Sequence, residues 1–170
     1  MSRMSEPQAA SPLRDDPADP AATGAPGGEP PVLLVADDNV GDALLLELAC
    51  ADAGLAVRIV QVRDGAQAWA LLQAAERAPL CPYALAMIDL NLPVVDGLEL
   101  LARMRATQVL AHLPTIIYTT STSPADQARA LRLQPSAYVV KPPDYRGLAL
   151  VVVQLRALLA AGGAGARPPA

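Results

Sequence analysis

"AMIDLNLPVVDGLELL", residues 86–101, sets one aspartate at the end of an apolar run and follows it with a proline turn. The run before it, "YALAMID", is short and apolar without alternation, the pattern of a strand buried on both faces. Pro93 marks a turn. "DGLELLARMR" then brings apolar residues back at helical spacing. The stretch therefore predicts strand, acid, turn and helix in that order. A carboxylate at a strand tip points to chemistry only if other strands deliver partners to the same place.

The same unit recurs on both sides. Upstream, "PVLLVADD" predicts a buried strand, and "NVGDALLLELACADAG" a helix with Asn39 as its start and Gly54 as its stop. "LAVRIVQV" and "DGAQAWALLQAAER" repeat the pair. Downstream, "PTIIYTT" reads as a strand and "SPADQARALRL" as a helix with Ser123 as N-cap and Pro124 in its first turn. "SAYVV" and "DYRGLALVVVQLRALLAA" close the series. Five strands alternating with five helices predict an α/β fold with a parallel sheet covered on both faces. If the strand order of such a doubly wound sheet is the flavodoxin-like 2-1-3-4-5, the first and third strands are neighbours.

The chain of 170 residues suits one domain, and at 52% hydrophobic but 3% aromatic it must fill its core with aliphatic side chains. A net charge of −4 without any Lys/Arg cluster argues against nucleic-acid binding. Cys50 and Cys81 form neither metal-ligand spacing nor a disulfide framework, so both read as reduced thiols of a cytoplasmic protein. His112, the one histidine, reads as a loop residue. Residues 1–30 are rich in proline and acid, with Arg3 and Arg14 against Glu6, Asp15, Asp16, Asp19 and Glu29. They lack the apolar segment of a signal peptide and read as a disordered tail. Residues 161–170, "AGGAGARPPA", read as a second tail, which leaves 31–160 as the folded domain.

In a doubly wound sheet, ligands bind at the carboxyl ends of the strands, near the point where strand order reverses. Here the first strand ends in Asp37-Asp38 and the third in Asp89. The fourth ends in Thr119, Thr120 and Ser121, and the fifth in Lys141 followed by Pro142 and Pro143. With the first and third strands adjacent, three carboxylates converge and repel one another unless a cation intervenes. Mg²⁺ suits few carboxylates, waters and a phosphate. Lys141 supplies a point charge and Thr119 a hydrogen bond for a phosphoryl group, and Asp89 is placed to act as a carboxylate nucleophile. Each residue alone has a plainer reading: an acidic helix N-cap, a β-branched strand end, a surface lysine. The weight lies in their recurrence at strand ends.

The segments "VADDNVGDALLLE", "MIDLNLPVVDGLELL", "PTIIYTTS" and "AYVVKP" resemble the receiver domain of two-component response regulators. The similarity is greatest to single-domain members associated with phytochromes. The intervals from Asp89, 30 residues to Thr119 and 52 to Lys141, agree with that family. The resemblance implies that Asp89 is the phosphoacceptor, that Asp38 ligates Mg²⁺ directly and that Asp37 does so through water. It further implies that Asn91 offers its backbone carbonyl to the metal and that Lys141 contacts the phosphate. Thr119 and Tyr138 become the switch pair, and the bond to Pro142 is expected to be cis. Tyr138 also reads simply as a half-buried strand aromatic. The 51 residues from Asp38 to Asp89 exceed the usual spacing, and the excess falls in "AAERAPLCPYA". Ser121, two beyond Thr119, occupies a position where the family varies.

The function implied is phosphoryl acceptance from a sensor histidine kinase, of bacteriophytochrome type, with output through protein contacts because only a short tail follows the last helix. Phosphorylation of its own aspartate and loss of that phosphate are then the only chemistry. Three alternatives stand beside it. An aspartyl-phosphate phosphatase would place a second acid where Asn91 stands. A nucleotide-binding domain would want a glycine-rich loop where "ADDN" stands. A silent receiver-like scaffold would have little use for the full set of pocket residues.

The last helix carries a separate expectation. In residues 148–161, "LALVVVQLRALLAA", only Gln154 and Arg156 are polar, far more apolar surface than one sheet face covers. The segment is too short for a membrane span and carries Arg156. It predicts a homodimer through this helix, sensitive to charge at Val152 or Leu155.

Overall fold

The computed structural model of the chain describes residues 29–162. Five strands, β1 (Val32–Ala36), β2 (Arg58–Val62), β3 (Leu85–Ile88), β4 (Thr115–Thr119) and β5 (Ala137–Val140), form one sheet. All are parallel, in the order β2-β1-β3-β4-β5. The connecting helices are α1 (Val40–Asp52), α2 (Gly65–Arg77), α3 (Gly97–Arg105), α4 (Pro124–Arg132) and α5 (Leu148–Gly162). The expected α/β fold and strand order are both present.

Strand periodicity divides the core in two. Leu33, Val35, Leu85, Met87, Ile116 and Tyr118 pack with Leu46 and Cys50 of α1 and Val151 and Leu155 of α5. Leu34, Ala36, Ala86, Ile88 and Ile117 pack with Leu72 of α2, Leu100 and Met104 of α3 and Ala130 of α4. Four helices begin where a short polar side chain accepts a free first-turn amide: Asn39 from Gly41, Asp64 from Gln67, Asp96 from Glu99 and Ser123 from Asp126. Gly54, at φ +64°, turns the chain out of α1.

Three boundaries differ from the sequence reading. The last helix starts at Leu148, because Asp144 accepts the Gly147 amide at 3.0 Å and closes a separate 3-10 turn over Tyr145–Gly147. That helix continues to Gly162, so helix replaces tail at residues 161 and 162. His112 is exposed but ends a 3-10 turn, Leu110–His112, rather than lying in a plain loop. Residues 29 and 30 are exposed coil, and the rest of the two expected tails lies outside the described residues.

α5 also corrects the surface expectation. Leu148, Val151, Val152 and Leu155 are buried against the sheet, whereas Leu150 and Val153 are 73% and 63% exposed. Charge at Val152 or Leu155 would therefore disrupt the core. The segment Tyr145–Gly162 is long and apolar enough by composition to cross a membrane, but one of its faces is core.

Candidate functional site

Strand register brings the acids together. Ala36 of β1 pairs with Ile88 of β3, so the next residues, Asp37 and Asp89, leave the sheet side by side. The Asp37 amide donates to Val62 and the Asp89 amide to Ala36, both at 2.9 Å. Gln61 of β2 clamps the loop from the other side, its Nε2 donating to the Asp37 carbonyl at 3.0 Å. Carboxylate oxygens of Asp37, Asp38 and Asp89 lie within 4.8 Å of one another. Asp37 and Asp89 are buried, and Asp38 is exposed.

Lys141 closes the cluster. Its amide donates to the Thr119 carbonyl at 2.8 Å, carrying the β4–β5 pairing one residue past the strand. Its Nζ lies 2.7 Å from Asp37, 2.8 Å from Asp89 and 2.9 Å from Asp42. It also stands 5.5 Å from the centre of the Tyr118 ring. Burial pulls the Lys141 pKa down, but the carboxylates around it outweigh burial and hold it above the ordinary value. For Asp37 the balance runs the other way: burial raises its pKa, Lys141 opposes, and Asp89 adds a smaller upward push. The short contacts decide for a charged Lys141, with Asp37 the strained partner. Burial pushes the Tyr118 hydroxyl up to about 12, so it stays neutral.

The peptide bond between Lys141 and Pro142 is trans, since no cis bond occurs among the described residues. Trans is the lower-energy form of an X-Pro bond. Here it leaves the strand pairing intact while Lys141 reaches all three acids, so the expected cis turn is not required.

Thr119 is buried, and its Oγ1 accepts from the Ser121 amide at 3.2 Å. The Ser121 carbonyl accepts from the Tyr138 hydroxyl at 3.0 Å, and the Ser121 hydroxyl donates to Asp126 of α4 at 2.8 Å. Thr119, Tyr138 and α4 thus share one loop. The Asn91 amide donates to Asp89 Oδ1 at 3.1 Å, which orients the carboxylate. Behind it, a Cβ at Gly97 would stand 2.1 Å from the Asp89 carbonyl oxygen, so only glycine lets α3 start this close.

Asp42, Gln61 and Tyr118 were not picked out in sequence. Asp42 carried a weak signal, as an acid in the first turn of a capped helix. Gln61 and Tyr118 carried none, since strand side chains gain these roles only through pairing.

The response regulator receiver domain family matches residues 33–152 of this chain. The chain belongs to that family. This receiver is 31% identical over 128 residues to a probable methanogenesis regulatory protein, FilR2, of Methanothrix harundinacea, spanning 75% of this chain and 83% of that protein. It is 29% identical over 120 residues to the response regulator Rcp1 of Synechocystis, spanning 70% and 82%. The crystal structure of the Mn²⁺-bound form of Rcp1 aligns with a TM-score of 0.66 at 28% identity, over 75% of this chain and 93% of that one. The phosphorylated cyanobacterial phytochrome response regulator RcpA aligns with a TM-score of 0.68 at 26% identity, over 78% and 95%. Membership makes this receiver a component of phosphorelay signalling and disfavours the phosphatase reading.

Proposed function

We propose that this receiver accepts a phosphoryl group from a histidine kinase onto Asp89, and signals by protein contact. The observation that carries this is Lys141 Nζ at 2.8 Å from an Asp89 carboxylate that shares its crevice with two further acids. An Asp89 oxygen attacks phosphorus while the phosphorus–nitrogen bond to the donor imidazole breaks. The electron pair returns to the ring, which leaves carrying a proton from solvent. Lys141 neutralises charge on the phosphoryl oxygens, and positioning with electrostatics supplies most of the rate.

Three carboxylates crowded into one crevice fit a small, hard divalent cation. Asp38, Asp89 and the Asn91 carbonyl would hold Mg²⁺ directly, and Asp37 through water. When bound, the ion balances charge at the acids and the phosphoryl group. Thr119 then trades the Ser121 amide for a phosphoryl oxygen. That shift moves Ser121, which both Tyr138 and Asp126 hold.

Similarity to RcpA and Rcp1 supports a bacteriophytochrome-type kinase as donor and a cytoplasmic setting. Leu150 and Val153 of α5, with Val140 of β5 at 43% exposure, supply an apolar strip for a homodimer. No role with nucleic acid or membrane is proposed. With Mg²⁺ and a small phosphodonor, intact-mass spectrometry should show one phosphate, absent from Asp89→Asn. Unchanged labelling of that variant would sink the reading. Light scattering should give twice the monomer mass, reduced by Val153→Glu. A monomer at every accessible concentration would remove the dimer and leave the phosphorylation untouched.

A further inference from the structure

We infer that Asp42 is a positioning residue for phosphoryl transfer. It holds the Lys141 ammonium over the pocket when the other two partners are taken by metal and phosphorus. This rests on Asp89 being the phosphoacceptor. An ammonium has three donors, and Lys141 Nζ faces three carboxylates between 2.7 and 2.9 Å away. Two of them, Asp37 and Asp89, belong to the acid trio that fits a divalent cation. Asp89 also gives up its charge when it becomes an acyl phosphate. Asp42 stands outside that trio and stays a carboxylate throughout. It sits on a rigid element rather than on a strand-end loop, because Asn39 caps α1 and places Asp42 in its first turn. Lys141 is 8% exposed and Asp42 26%, so Asp42 draws the ammonium toward the rim, where a donor phosphoryl arrives.

An acid in a helical first turn also serves the helix dipole, so the test must separate the two roles. Labelling rates at saturating Mg²⁺ with acetyl phosphate, and the affinity for beryllium fluoride as a phosphoryl mimic, would be measured for five proteins. These are wild type, Asp42→Asn, Asp42→Glu, Lys141→Ala, and Asp42→Asn combined with Lys141→Ala. Asp42→Asn should slow labelling about fivefold, the scale of one partly exposed ion pair, and weaken the mimic in proportion. Asp42→Glu should restore most of both. With Lys141→Ala as background, Asp42→Asn should change neither. If that background labels too slowly to read, the beryllium fluoride titration carries the comparison. A wild-type rate for Asp42→Asn, or the same loss without Lys141, would overturn the inference. Labelling that persists in Asp89→Asn would instead overturn the phosphoacceptor reading.

Discussion

The two ends of the sheet hold their cations in opposite ways. At the carboxyl end, Lys141 pairs with Asp37, Asp42 and Asp89, and the proposed phosphoryl transfer requires some of these to change partners. At the amino end, Arg105 closes α3 onto main-chain carbonyls alone. Its Nε donates to Leu133 at 3.1 Å, one terminal nitrogen to Leu110 and Ala111 at 3.4 and 3.3 Å, and the other to Gln134 at 3.2 Å. Those oxygens belong to the chain entering β4 and β5, where the Leu110 carbonyl also accepts from the Leu113 amide at 3.1 Å. Charge that serves stability is tied to fixed dipoles, and charge that serves chemistry is tied to other movable charges.

The largest effect should come from removing the staple. Arg105→Ala leaves four carbonyls without this donor and should cost about 3 kcal/mol, lowering the thermal midpoint by roughly 10 °C. Phosphate labelling of the folded protein should be unchanged. A midpoint within a degree of wild type would show that water replaces the guanidinium, and the contrast between the ends would fail.

Asp37→Asn should do the reverse. Burial holds the folded-state pKa of Asp37 above its ordinary 3.8, so the folded protein takes up a proton there more readily than the unfolded chain. Stability from this group is greatest below that value and is lost as pH rises through the folded-state pKa. At neutral pH without metal, Asp37→Asn should therefore stabilise by about 1 kcal/mol while weakening Mg²⁺ binding. Asp38→Ala should leave metal-free stability nearly unchanged, because Asp38 is exposed, and should weaken Mg²⁺ more. Wild type should gain about 1.4 kcal/mol when Mg²⁺ stands at tenfold its dissociation constant. Denaturant melts with and without Mg²⁺ would measure all of these. A loss of metal-free stability in Asp37→Asn would mean the Lys141 pair outweighs the desolvation of the acid.

What could be read from sequence follows from how local each signal is. Asn39 and Ser123 announce helices because a cap acts over three residues, while Asp64 and Asp96 cap theirs without having been singled out. The alternation they punctuate points to a parallel sheet. The strand-end acids followed from that sheet. The Asp42–Lys141 pair did not, since 99 positions separate the two residues and only the packed fold joins them. α5 failed for another reason. When nearly every position is apolar, periodicity has no phase, so the buried Val152 and the exposed Val153 read alike.

The smallest effects concern backbone strain, and each end of the sheet has one instance. Val94 and Gln134 are the non-glycine residues at positive φ among those described, at 69° and 51°. Val94 centres a three-residue turn between Asp89 and α3, in which the Val95 amide donates to the Pro93 carbonyl at 2.8 Å. The same carbonyl accepts from the Gly65 amide at 3.1 Å, so α2 holds the turn in place. A β-branched residue fits this region worst, and with its side chain 80% exposed Val94 has little packing to offset the strain. Gln134 is unbranched and follows a helix, where a left-handed residue is ordinary, and its carbonyl is held by Arg105. Removing the side chain relieves strain of roughly 1–2 kcal/mol but returns part of it as lost chain stiffness. Val94→Gly should therefore stabilise by about 1 kcal/mol and Gln134→Gly by about 0.3 kcal/mol, read from denaturant midpoints. Larger relief at Val94 would place stored strain beside Asp89, the proposed phosphoacceptor, as expected where a loop is shaped for chemistry rather than for stability. Equal gains would mean that the left-handed backbone alone sets the cost and that the two ends do not differ in this respect.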